Sequence, residues 1–448
     1  MAAAAAAAAP DLPLSRLLRL SLFQVSVGMT LVLLVGTLNR VMIVELGVPA
    51  TLVGIMVALP LVVAPFRALI GHSSDTHRCE LGWRRVPFIW KGSVWQFGGF
   101  AFMPFALLVL AGKGESGFLP TWVGVAAAAA SFLLVGGGAH TVQTAGLALA
   151  TDLTPPESHP RVVGLMYVTL LLGMIGSALL FGLALSEFTP GRLVQVIQSV
   201  ALLSLVLNFV AMWKQESRRP RRGAPAPTAD PSFKESWSMF CSGEDTVRRL
   251  VLVGIGTIGF GMADVLLEPF GGQVLNMNVA STTKLTALLA LGGLLGFAYA
   301  SHALAKGGDA YRITLVGALL GVPGFALVMA AAPLEQTAVF IIGNFLIGFG
   351  GALFGHGTLT ATMSLAPPER AGLAIGAWGA VQATAAGVAM LLSGAFRDLA
   401  SFVWGARGGA DTIAWGYHSV YVLEIVFLLI TVAVCVPLIR ARPAARRS

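Results

Sequence analysis

Apolar residues run along this chain in blocks of membrane-spanning length, broken by short polar stretches. The blocks fall near 20–46, 50–71, 86–112, 121–151, 162–186 and 191–213. They resume near 248–275, 280–304, 312–332, 336–366, 371–395 and 417–439. A membrane-crossing helix needs about 20 mostly apolar residues, so the pattern predicts six spans, a polar linker and six more. The expected organisation is a tail over 1–19, a six-helix bundle over 20–213, a linker over 214–247, a second bundle over 248–439 and a tail over 440–448. The expected fold class is an all-α membrane protein of twelve transmembrane helices.

The two halves repeat. The fourth span carries Gly136-Gly137-Gly138 and runs to Pro155-Pro156-Glu157; the tenth carries Gly348-Phe349-Gly350 and runs to Pro367-Pro368-Glu369, a register of 212 residues. Duplicated six-span units point to a major-facilitator-type architecture with a cavity between the halves.

Composition agrees and excludes other classes. Of 448 residues, 56% are apolar and only 11% charged, with a mean hydropathy of +0.81. That rules out a water-soluble enzyme, a disordered chain and a basic nucleic-acid binder. The net charge of +8 reflects topology. With both termini cytoplasmic, 22 of the 29 Lys and Arg residues fall inside and five outside, while Arg40 and Arg67 lie within spans. This bias sets the termini in the cytoplasm. The linker, with Arg218-Arg219-Pro220-Arg221-Arg222 followed by Ala-Pro-Ala-Pro, reads as a tether near anionic headgroups. Residues 396–416, with Trp404, Trp415, Arg397 and Arg407, read as an interfacial amphipathic stretch outside the membrane. Cys79, Cys241 and Cys435 are too scattered for a disulfide framework or a metal site. The alanine-rich start lacks the basic region and cleavage site of a signal peptide.

Polar groups inside spans are expensive and mark function. Asn39 and Arg40 sit toward the outer end of the first span, followed by Glu45. Asp264 and Glu268 lie four apart on one face of the seventh, with Pro269 next. Arg40, Asp264 and Glu268 are expected to form a polar cluster joining the halves, with Arg40 paired to Glu268. In the loop after the second span, Gly71, Asp75, Gly82, Arg84 and Arg85 resemble the Gly-Asp-Arg loop motif of major facilitators, in a longer form. Arg67 is expected to snorkel or to pair with Asp75 or Asp152.

His140 and His356 occupy the interiors of the fourth and tenth spans at similar depth, beside glycines that leave room for a planar ligand or another helix. A neutral imidazole can hydrogen-bond, relay protons or ligate the magnesium of a chlorophyll-type ring. His140, Gln143, His356 and Asn39 are therefore pigment or cavity candidates. Among recognised motifs there is no phosphate-binding loop, zinc spacing or nucleophile elbow, so no enzyme activity is expected.

Several strings resemble the PucC-type branch of the major facilitator superfamily. They include residues 37–49 (TLNRVMIVELGVP), 65–71 (PFRALIG), 81–87 (LGWRRVP), 263–275 (ADVLLEPFGGQVL) and 355–363 (GHGTLTATM). The resemblance runs from about Leu14 to Ile439. It implies bacteriochlorophyll as the bound pigment, delivered to the light-harvesting α and β polypeptides as they assemble. It also implies a bacterial inner, intracytoplasmic photosynthetic membrane as the location. Pigment-synthesis enzymes and the membrane insertion machinery are further partners in this reading. The alternative from another class is a proton-coupled transporter of a small solute, using Asp264, Glu268 and Arg40.

Overall fold

Lipid offers the backbone no hydrogen-bonding partners, so a chain this apolar can satisfy its peptide groups only within helices. The computed structural model describes residues 12–62, 70, 73–74, 82–112, 119–155, 158–216, 246–363, 371–408 and 411–445. Eleven of its helices are long and apolar enough to cross a membrane, and one shorter apolar helix lies among them. In chain order they are α1 (Leu14–Glu45), α2 (Ala50–Val62), α3 (Val86–Leu110), α4 (Thr121–Asp152), α5 (His159–Ala184) and α6 (Pro190–Met212). The second half holds α7 (Thr246–Gln273), α8 (Val279–Ala305), α9 (Ala310–Ala330), α10 (Thr337–Met363), α11 (Ala371–Ala406) and α12 (Thr412–Ala445).

Local chemistry sets several starts. Asp309 accepts from the N–H groups of Tyr311 (2.8 Å) and Arg312 (3.1 Å), closing the first turn of α9. Asn278 does the same for α8 through Ser281, and Thr189 for α6 through Arg192.

Two boundaries differ from expectation. Helix α1 begins at Leu14 directly after Pro13, so Arg16 and Arg19 belong to its first turns rather than to a tail. The stretch 396–416 is not a separate interfacial element: α11 runs on to Ala406, a turn follows with Gly408 at φ +73°, and α12 starts at Thr412. Nothing between Phe396 and Val403 breaks a helix, so α11 continues past its apolar core. The linker residues 217–245 lie outside the described residues.

Helix packing repeats with the sequence. Helix α3 packs on α4 as α9 packs on α10, and α3 on α6 as α9 on α12. Gly138 and Gly350, one 212-residue register apart, sit at the two corresponding crossings. A Cβ on Gly138 would lie 2.5 Å from the Gly92 carbonyl, and one on Gly350 would lie 2.7 Å from that of Gly317. Small residues let the backbones touch where lipid gives no hydrophobic drive. A buried polar chain ties α1, α3 and α6: Gln96 donates to Ser26 (3.3 Å) and Thr30, and Asn208 donates to Gln96 (3.3 Å).

The halves touch along α2 with α11, α5 with α8, and α1 with α7. The first two contacts exchange under the repeat and the third maps to itself, as a two-fold relation requires. These contacts gather at the end of the bundle where α1 finishes and α2 begins, hereafter the distal end.

Candidate functional site

The distal joint is built on irregular helix. In α1, residues Val32–Thr37 and Val41–Glu45 are π-helical, flanking a short α turn, Leu38–Arg40. Such widened turns are rare and collect at functional positions. In α7, the chain breaks at Met262 between segments Thr246–Gly261 and Ala263–Gln273.

Polar side chains of the two halves meet at this joint. Asn39, fully buried, donates across the halves to the carbonyl of Val265 (2.9 Å) and more weakly to that of Asp264 (3.4 Å). Pro269 has no N–H, so the Val265 carbonyl lacks its usual helical donor; Asn39 supplies one. Thr37 and Thr283 meet at 3.4 Å.

The expected Arg40–Glu268 pair is not formed. Arg40 pairs with Glu45 at 2.5 Å and donates to the Met277 carbonyl of the other half at 3.0 Å. The π stretch brings residue i+5 round to the side of Arg40, which places Glu45 within reach of its guanidinium. Glu268 lies within electrostatic reach of Arg40 but accepts its hydrogen bond from Thr286. Gly36 makes room for that group, since a Cβ there would fall 2.5 Å from Glu268 Oε1. Exchanging the charges of Arg40 and Glu45 together should preserve more thermal stability in detergent than either single reversal. Exchanging Arg40 with Glu268 should rescue nothing; rescue there would restore the pairing read from sequence.

A second polar contact closes α2 on α11: the Asp398 carboxylate accepts from the Thr51 N–H and hydroxyl, both at 2.7 Å. Arg397 donates to Asp398 (2.9 Å) and to Gln273 Oε1 (2.7 Å), which also accepts from Tyr417 (2.8 Å).

The two histidines lie away from the joint. His140 is half-buried on α4; Gln143, three residues on, donates to Gln24 of α1 at 3.4 Å. His356, half-buried on α10, meets Ser301 through Nε2 at 3.2 Å and packs on Phe297 with ring centres 4.3 Å apart. Its Nδ1 is buried and has no hydrogen-bond partner among the described residues. A Cβ added at Gly137, three residues before His140 on the same helix face, would meet nothing within 4 Å, so open space adjoins that histidine.

The loop motif is described in part. Gly82 takes φ +77°, turning the chain into α3. Arg85 bonds Asp152 (2.9 Å) and Ser74 (2.5 Å), with Arg84 also near Asp152 at 3.5 Å. Glu216 accepts the N–H groups of Arg84 (2.6 Å), Arg85 (3.0 Å) and Val86 (3.0 Å), capping α3 with a charge suited to a helix start. Gly71, Asp75 and Arg67 lie outside the described residues.

Sequence reading missed Glu424, which is fully buried on α12. Its Oε1 accepts the N–H of Ala263, the first residue after the break in α7, at 2.6 Å. The signal was a lone acid midway through the last apolar block.

Comparison with known proteins follows this geometry. A family profile described as "PUCC protein" matches residues 37–443. The chain is 60% identical over 396 residues to Protein PucC of Rhodovulum sulfidophilum, covering 88% of this chain and 87% of that protein. It is 54% identical to Protein PucC of Cereibacter sphaeroides, over 98% and 95% of the two chains. It is also 27% identical to the bacteriochlorophyll synthase 44.5 kDa chain of Rhodobacter capsulatus, over 96% and 97%. Among solved structures it resembles a bacterial homolog of the human lysosomal transporter Spinster, inward-facing and unoccupied. The TM-score is 0.71 at 15% identity, covering 94% and 95%. A repeated twelve-helix bundle with an inter-half joint on α1 and α7 and these likenesses agree: the chain belongs to the PucC protein family, with the major facilitator fold.

Proposed function

We propose that this protein binds bacteriochlorophyll within the membrane and delivers it to light-harvesting α and β polypeptides during antenna assembly, without catalysing a reaction. The observation that carries the reading is family membership at 60% identity to a PucC protein. The name of a more distant relative, a bacteriochlorophyll synthase chain, points to the same pigment. The residues fit such a cargo. Among the described residues His356 offers a buried ring nitrogen without a partner, and open space adjoins His140. When bound, the pigment's magnesium would supply a Lewis-acid centre for a nitrogen ligand. His356 would hold it through Nδ1, with His140 and Gln143 as further contacts. An apolar, water-insoluble ring suits a protein with few charged groups inside its spans. In this reading the protein lies in the bacterial inner, intracytoplasmic membrane with both termini in the cytoplasm.

The test is purification from a pigmented host followed by an absorbance spectrum. Pigment and antenna polypeptides in stoichiometric amount are expected, with pigment retention lowered in His356→Ala. Buried carboxylates at Glu268 and Glu424 favour one other reading, proton-coupled movement of a small solute. A colourless protein that moves a solute into vesicles down a pH gradient would replace the first reading with the second.

A further inference from the structure

Glu424 is used by neither histidine nor by the pigment reading, and its surroundings are unusual. It stands at the start of the second segment of α7, where helix N–H groups carry partial positive charge. One carboxyl oxygen takes the Ala263 N–H; the other, Oε2, is buried with no partner among the described residues. Among the described residues no basic side chain pairs with it. From α7 the facing acid is Asp264, half-buried in the first turn of that segment. On α12 itself the neighbour is Tyr421, whose hydroxyl donates to the Leu266 carbonyl at 3.4 Å. Helix α9 brings Phe325 against Tyr421, while its titratable groups, Tyr311 and Arg312, sit in its first turn. Helix α11 contributes Arg397 and Asp398, which are engaged with each other, Gln273 and Thr51.

A carboxylate enclosed in this way has three means of neutralisation: a basic partner, a metal ion or a proton. The first is absent among the described residues. No cluster of His, Cys, Asp or Glu there is suited to a metal. A proton is the remaining ligand, and the orphaned Oε2 is the atom that takes it.

We propose that Glu424 and the break in α7 form a proton-binding site whose occupancy controls the contact between the two halves. Without its proton, Glu424 carries a full charge at the positive end of segment 263–273. It then accepts the Ala263 N–H as a charge-assisted bond, roughly twice as strong as a neutral one. Proton uptake at Oε2 converts carboxylate and hydronium to carboxylic acid and water, removes the charge and weakens the hold on the segment. That same segment offers the Val265 carbonyl to Asn39, so loosening it loosens the joint. The device works with or without pigment.

The test uses the full-length, pigment-free protein in lipid nanodiscs. Spin labels on Ser186→Cys and Gln336→Cys, with the native cysteines replaced, report the distance between the halves at the distal end. Infrared difference spectra report the carbonyl stretch of a buried carboxylic acid. The wild-type distance is expected to widen as pH falls, in step with growth of the acid band. Glu424→Gln keeps a carbonyl for Ala263 and mimics the protonated form. It should lose the band and hold the wide distance at every pH, while Asp264→Asn keeps the dependence. A wild-type distance and band that ignore pH would overturn the proposal, and need no variant to fold. So would a Glu424→Gln protein that titrates like the wild type, or a dependence lost in Asp264→Asn alone.

Discussion

Gly394→Ala should open the distal end and cost about 3 kcal/mol of stability, the upper range for overpacking a tight interface. An added Cβ would lie 2.1 Å from the Ala50 carbonyl oxygen and 2.6 Å from its carbon. Both are backbone atoms, so no rotamer change relieves the clash and α11 must leave α2. Asp398 lies one turn further along α11, and its two bonds to Thr51 should break with the same displacement. The control is Gly98→Ala on α3, where a Cβ meets nothing within 4 Å, and a change within about 0.5 kcal/mol is expected. Reversible unfolding in mixed detergent micelles measures both. Equal effects of the two substitutions would mean that close approach of α2 and α11 does not hold the halves together.

Asn39→Leu should cost about 2 kcal/mol, because it leaves the Val265 carbonyl buried without a donor. Pro269→Ala returns an N–H four residues after Val265, so the carbonyl regains the helical partner that proline denies it. The double variant Asn39→Leu with Pro269→Ala should therefore recover most of the loss, and a double-mutant cycle gives the coupling directly. Additive effects would show that Asn39 acts through something other than that carbonyl.

The helical architecture was legible in sequence because lipid leaves the backbone few choices. Spanning blocks and their number follow from the hydrophobic pattern, and the 212-residue repeat from its glycine and Pro-Pro-Glu landmarks. Asn39, Arg40 and Glu268 stand out in the sequence because polar groups are costly inside a span. The partners were not legible. Pairing Arg40 with Glu268 assumed a regular α-helix, whereas a π stretch brings Glu45 to the guanidinium instead. Asn39 finds a backbone carbonyl, and a carbonyl orphaned by proline leaves no mark in a search for side-chain pairs. Glu424 was hidden for a related reason. It answers to the break at Met262, and nothing in the pattern of apolar residues marks where α7 stops being continuous. The helical run through 396–406 was missed because polar and aromatic residues suggested an interface while every residue there tolerates helix.

The π stretches of α1 hold more residues than ordinary α turns need for the same rotation. Each residue of an α-helix turns the chain by about 100°, and a residue of the wider π turn by less. The six residues Val32–Thr37 therefore turn the chain about as far as five α-helical residues would. Removing one of them would let the stretch close into ordinary α turns with Asn39 still facing Val265 and Arg40 still facing Met277. Helix α1 thus carries a spare residue there, and shortening it at that stretch is a gentler change than shortening the regular turns Leu22–Leu31.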